Sequence, residues 1–175
     1  MAGRYRIVQS VLSVYDIIQR HHNLRDIIVI TNNADSTNQF LASVGLIHNS
    51  SECCNERMYL KTRNTISDGK LWGCTVCGRT RSIRRDSFFT ESHLPLTRFP
   101  ELMYYWAEME YKQSVVMRQV GIGPEAIVNW YNYFRDVCAM WCFDHIGDVV
   151  VEWRRYNTSN TFMSFIKCIR QYYPV

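Results

Sequence analysis

Four cysteines in two groups constrain this chain more than any other feature: Cys53-Cys54, and then Cys74-Thr75-Val76-Cys77. Between the groups sits Ser67-Asp68-Gly69-Lys70, flanked by Met58-Tyr59-Leu60 before and Leu71-Trp72 after. Asp-Gly between two strand-forming runs is a strong short-range hairpin signal. Two cysteine groups at the ends of a hairpin are the layout of a zinc ribbon, in which two knuckles pin a small sheet to one tetrahedral ion.

The spacing has a chemical reason. Cysteines three apart, as at Cys74 and Cys77, wrap a tight turn so that both thiolates reach one ion, and Gly78 supplies a permissive backbone just after it. The first half-site is less regular, because Cys53 and Cys54 are adjacent. Cys54, Cys74 and Cys77 are expected as ligands, with Cys53 as the fourth and His48 as its rival. Reduced thiols holding no metal are the alternative. The seven cysteines are odd in number, no secretory signal opens the chain, and no apolar run reaches the ~18 residues of a membrane span. A reducing, intracellular compartment is expected, nuclear in a eukaryote.

Net charge is only +4, but its distribution is uneven. From Glu52 to Arg85 eight basic residues face three acidic ones, and the rest of the chain is close to neutral. Arg79, Arg81, Arg84 and Arg85 come directly after the second knuckle. A basic patch on a metal-held sheet is the electrostatic footprint of a phosphate-backbone partner; a merely solvated face is the alternative.

The fold expected is α+β and mainly helical: a small ribbon hairpin and then a helix-turn-helix bundle. Four segments are expected: 1–45, a helical segment and linker; 46–93, the ribbon; 94–147, the helix-turn-helix; and 148–175, a divergent tail. In the first, Ile7, Val8, Val11, Leu12, Tyr15 and Ile18 fall at helical spacing. Ile27 to Ile30 reads as a buried strand or a helix extension, and Thr31 to Asn38 as a linker. Asp35 or Ser36 is expected to cap a short helix that Gly45 ends. Phe88 and Phe89 are expected to dock the ribbon onto the helices C-terminal to it, and Leu102, Met103 and Trp106 to pack a helix from Phe99.

In Lys112 to Trp141, a short helix carrying Val116, Met117 and Val120 is expected to turn at Gly121. A second helix then opens at Gly123-Pro124. Ile127, Trp130, Tyr131, Phe134, Cys138 and Trp141 face inward at helical spacing. Glu125, Val128, Asn129, Asn132, Tyr133, Arg135 and Asp136 face outward. Asn129 and Asn132 would reach base edges if this helix entered a major groove, with Arg135 beside them. An ordinary helical hairpin is the alternative. Phe162, Phe165, Ile166 and Ile169 suit a short amphipathic helix in the tail.

These residues carry a resemblance. DGKLWGCTVCGRTRSIRRDSFFTESHLPL, then LMYYWAE, then EAIVNWYNYFRDVC resemble the N-terminal half of Merlin-type DDE transposases, over roughly Phe40 to Gly147. The resemblance implies a zinc-binding and helix-turn-helix DNA-recognition region preceding an RNase H-like catalytic domain with three metal-holding acids. The chain departs from that pattern after Ile146-Gly147. Asp148 and Glu152 do not stand where the first catalytic acid belongs, and the 23 residues after Glu152 contain no Asp or Glu. A two-metal site needs carboxylates on separated elements of a full α/β domain. The expectation is therefore no enzyme, but a zinc-dependent binder of double-stranded DNA derived from such a transposase. A ribbon-built protein adaptor and a non-functional fragment are the alternatives. No membrane partner is expected, and self-association into a homo-oligomer stays open.

Overall fold

The computed structural model describes residues 5–108, 111–144 and 161–175. Asp148 and Glu152 lie outside the described residues, as do Met109 and Glu110. The chain is α+β, about half helical, with two small antiparallel sheets.

Local capping rather than long periodicity places the first helices. α1 (Val14–Ile18) and α2 (Leu24–Thr31) each begin with a capping box, Ser13 with Asp16 and Asn23 with Asp26. Each box satisfies two otherwise orphaned amides. The cap at Asn23 makes Ile27 to Ile30 helical rather than extended, with Ile27 buried. The helical spacing from Ile7 holds only from Val14 on. α3 (Ala34–Ser43) is capped by Asn33, which accepts from the Ser36 amide. That cap, and not Asp35 or Ser36, starts the helix, so the expected linker shrinks to Asn32-Asn33.

α3 ends as expected at Gly45. Its φ is +71°, its amide donates to Ala42, and the Leu46 amide donates back to Leu41. This is the paired-bond C-cap that requires a left-handed residue.

β1 (Glu52–Cys53) and β2 (Glu56–Arg57) form a two-stranded hairpin. β3 (Tyr59–Thr62), β4 (Lys70–Gly73) and β5 (Thr80–Ser82) form a three-stranded meander in which Leu60 pairs with Trp72 and Trp72 with Arg81. Asp68-Gly69 does lie between two strands, but not as a two-residue turn. The connection runs from Arg63 to Gly69 and is closed by the Arg63 amide on the Gly69 carbonyl at 2.9 Å.

A single turn of 3-10 helix (Leu96–Arg98) leads into α4 (Phe99–Glu108). α5 (Gln113–Val116) widens into a π turn (Met117–Gly121), and the chain breaks at Gly121, φ +70°. Extended Ile122 then leads into α6 (Pro124–Asp144). Helical turns therefore lie on both sides of Gly121. α7 (Thr161–Tyr172) buries Phe162, Phe165, Ile166 and Ile169.

One hydrophobic cluster spans the chain from Ile7 to Ile169 and draws on every helix and on β1 and β4 of the sheets. α7 packs against α1, α4 and α6. Aromatic rings fill the join between ribbon and helices: Phe89 lies 4.5 Å from Phe99, and Phe88 5.7 Å from Trp130. Trp106 meets Phe134 and Phe165. Burying such rings contributes packing beyond their area, about 0.5–1.5 kcal/mol per well-placed pair.

Candidate metal centre and the basic face beside it

The hairpin β1–β2 explains how two adjacent cysteines make half a metal site. Its two linking residues are Cys54 and Asn55, with φ of 54° and 59°. Positive φ at both central positions marks the primed two-residue turn whose twist matches antiparallel strands. It swings the Cys54 side chain back beside that of Cys53, with their sulfurs 3.8 Å apart. The second half-site is the turn after β4. The Gly78 amide donates to the Cys74 carbonyl, the Cys74 amide donates to the Arg79 carbonyl, and Gly78 takes φ +69°.

The two turns face each other. The sulfurs of Cys53, Cys54, Cys74 and Cys77 all lie within 4.8 Å of one another, and Cys53 to Cys77 is 3.6 Å. Sulfurs around a zinc ion at about 2.3 Å would stand about 3.8 Å apart, the edge of the tetrahedron. The quartet therefore fits a tetrahedral thiolate-bound ion and can hold a metal. His48 is not part of the group. It lines a separate cleft of about 290 Å³ with Trp72, Arg81 and Arg85.

The thiols divide their protons unequally. A hydrogen bond from the Arg79 backbone amide, then one from the Cys74 thiol, holds Cys77 down at about 7. Bonds to Cys77 and Cys53 push Cys54 up to about 12, and the Cys77 contact also raises Cys53. Crowded thiols cannot all ionise unless a cation joins them, which is why metal uptake by such a site releases protons.

The arginines expected to meet phosphate are not equivalent. Arg79 and Arg85 are exposed, and Arg85 is 3.3 Å from the exposed carboxylate of Asp86. Arg81 is half-buried and donates from Nη1 to the Glu52 carbonyl at 2.8 Å, tying β5 to the first hairpin. Arg84 does not face solvent. It is 6% exposed, its Nε and Nη2 donate to both oxygens of Asp68, and its Nη1 donates to the carbonyls of Ser92 and Leu94. A guanidinium so engaged cannot neutralise a phosphate, so Arg84 leaves the candidate interface.

Asp68 is the other half of that correction. Its carbonyl accepts from Asn38 of α3, and its carboxylate accepts from the Leu96 amide. The residue read as a turn former instead joins α3, the ribbon and the lead into α4. A hint of this was present in the sequence, since Ser87 and Thr90 lie shortly after Arg84, and their hydroxyls both donate to the Arg84 carbonyl and fold the segment into turns.

On α6 the division into two faces holds. Ile127, Phe134 and Val137 are buried, while Asn129, Asn132 and Arg135 are exposed. Arg135 Nη2 donates to Asn132 Oδ1, so these two side chains form one polar unit one turn from Asn129.

Among the described residues no helix is long and apolar enough to cross a membrane. No family model, curated protein or solved structure matches this chain.

Proposed function

We propose that this chain is a zinc-held module that recognises duplex DNA and catalyses no strand transfer, built like the recognition half of a Merlin-like transposase. The cysteine quartet carries the reading: four sulfurs from two turns converge at tetrahedral spacing, within a segment whose exposed charged side chains are mostly basic. Zinc is the natural ion for four thiolates, because it is borderline-soft and indifferent to redox state. Bound there, it would join the β1–β2 turn to the β4–β5 turn and supply folding energy rather than chemistry.

The ribbon's exposed cations, Arg57, Lys61, Arg63, Arg79 and Arg85, are then the phosphate-neutralising set. Asn129 and the Asn132–Arg135 unit on α6 would contact base edges or orient the module. In a eukaryote such a module would work in the nucleus.

Zinc content and duplex binding at two salt concentrations, on one purified sample, test this. One equivalent of zinc with steeply salt-dependent binding is the expected result. Zinc without DNA binding would point to a ribbon that docks protein. Neither zinc nor DNA binding would overturn the reading of the quartet as a metal centre.

A further inference from the structure

Where the segment after the ribbon meets α6, a cleft of about 340 Å³ is walled by Phe88, Trp130, Tyr133 and Tyr173, with Glu91 beside them. Phe88 stands 5.7 Å from Trp130 at 62° and 4.9 Å from Tyr173 at 70°. Trp130 stands 5.5 Å from Tyr133 at 53°. None of these pairs is face to face, so the rings form walls meeting at steep angles rather than a flat slot. Glu91 is exposed and has no ion-pair partner among the described residues. No Lys or Arg lines the cleft.

The chemistry of the lining selects its ligand. Aromatic faces carry negative quadrupole density and attract cations, most strongly those cheap to strip of water. A plain ammonium is strongly hydrated. Methyl groups spread the charge and offer an apolar surface to the rings. A carboxylate without a partner adds a countercharge and disfavours phosphates. A nucleobase would want parallel faces to stack between, and here the rings cross at 53° to 70°.

We propose that this cleft binds a methylated ammonium group, carried by a trimethylated lysine or by a choline-like small molecule. The site shares no residue with the cysteine quartet or with the arginines beside it.

Calorimetric titration of the full chain tests it. The probes are tetramethylammonium, choline, a trimethyllysine peptide, the same peptide unmodified, and the neutral tert-butyl analogue of choline. Saturable binding of tetramethylammonium is expected, with the trimethyllysine peptide preferred roughly tenfold over its unmodified form. A peptide tighter than choline assigns the ligand to a protein partner; choline tighter than the peptide assigns it to a small molecule. Tyr133→Ala and Tyr173→Ala, both at exposed rings, should each weaken binding roughly tenfold with an unchanged circular dichroism spectrum. Glu91→Gln should weaken it several-fold. The proposal fails if the tert-butyl analogue binds as tightly as choline, or if no methylated ammonium saturates at millimolar concentration. It fails equally if both tyrosine variants fold and bind as the parent does.

Discussion

The guanidinium of Arg84 clasps the carboxylate of Asp68, with Nε and Nη2 each 2.5 Å from one of its oxygens, in a site where both side chains are nearly closed to solvent. A buried pair adds little net stability against an apolar replacement, but removing one partner strands the other. Arg84→Ala should therefore cost about 3–5 kcal/mol in a denaturant melt. Arg79→Ala and Arg85→Ala should cost little there, and should each lower the salt slope of duplex binding by about one. An Arg84 variant of parental stability would remove this anchor from the account.

The turn through Cys54 and Asn55 should be sensitive to the residue at 55. Asn tolerates φ of 59° better than most residues, and a β-branched side chain does not. Asn55→Val should strain the turn by ~1–2 kcal/mol and weaken metal affinity roughly tenfold, while Asn55→Gly should leave it close to parental. Competition against a chelating dye would read both.

His22 should make the fold acid-sensitive. Its ring packs 5.7 Å from Phe40 and 6.3 Å from Phe162, and its Nδ1 is buried without a hydrogen-bond partner. Burial, opposed by nearby Asp26 and reinforced by Arg20 and His21, lowers its pKa below the ordinary 6.5. The unfolded chain then binds the proton more readily than the folded one. The stability involved is present above about 6.5 and is lost as pH falls through the lower, folded value. Thermal melts across that window should show a decline that His22→Gln flattens.

Gly45 should not tolerate a side chain. Its φ is +71°, and an added methyl would stand 2.8 Å from Nε of Arg170. Gly45→Ala should cost ~1–2 kcal/mol from backbone strain alone, more if Arg170 has to move. A matched melt of Gly45→Ala with and without Arg170→Ala would separate the two contributions.

How much of this was legible depends on the range over which each signal acts. The α6 stripe, the glycine break at 121 and the amphipathic α7 are written in side-chain periodicity and backbone chemistry, and they stand where the residues place them. The cysteine quartet was legible from spacing, though the adjacency of Cys53 and Cys54 reads as a defect until the primed turn is seen. Asn55, directly after them, was the available cue. Ile27 to Ile30 reads as a strand or a helix extension because β-branched runs favour strands, and a capping box just upstream decides for the helix. Arg84 misled for a different reason. Its role depends on Asp68, Ser92 and Leu94 converging in space, and charge density along a chain carries no information about which cation is turned inward.

The bond from Arg170 to the Leu12 carbonyl spans 158 positions, and α7 packs on α1. During synthesis the ribbon's strands and all four cysteines leave the ribosome within some thirty residues of one another. They can pair, and take up an ion, while later helices are still unmade. α1 has no such liberty. Its apolar side stays open to water, and to other nascent chains, until α7 arrives to close over it.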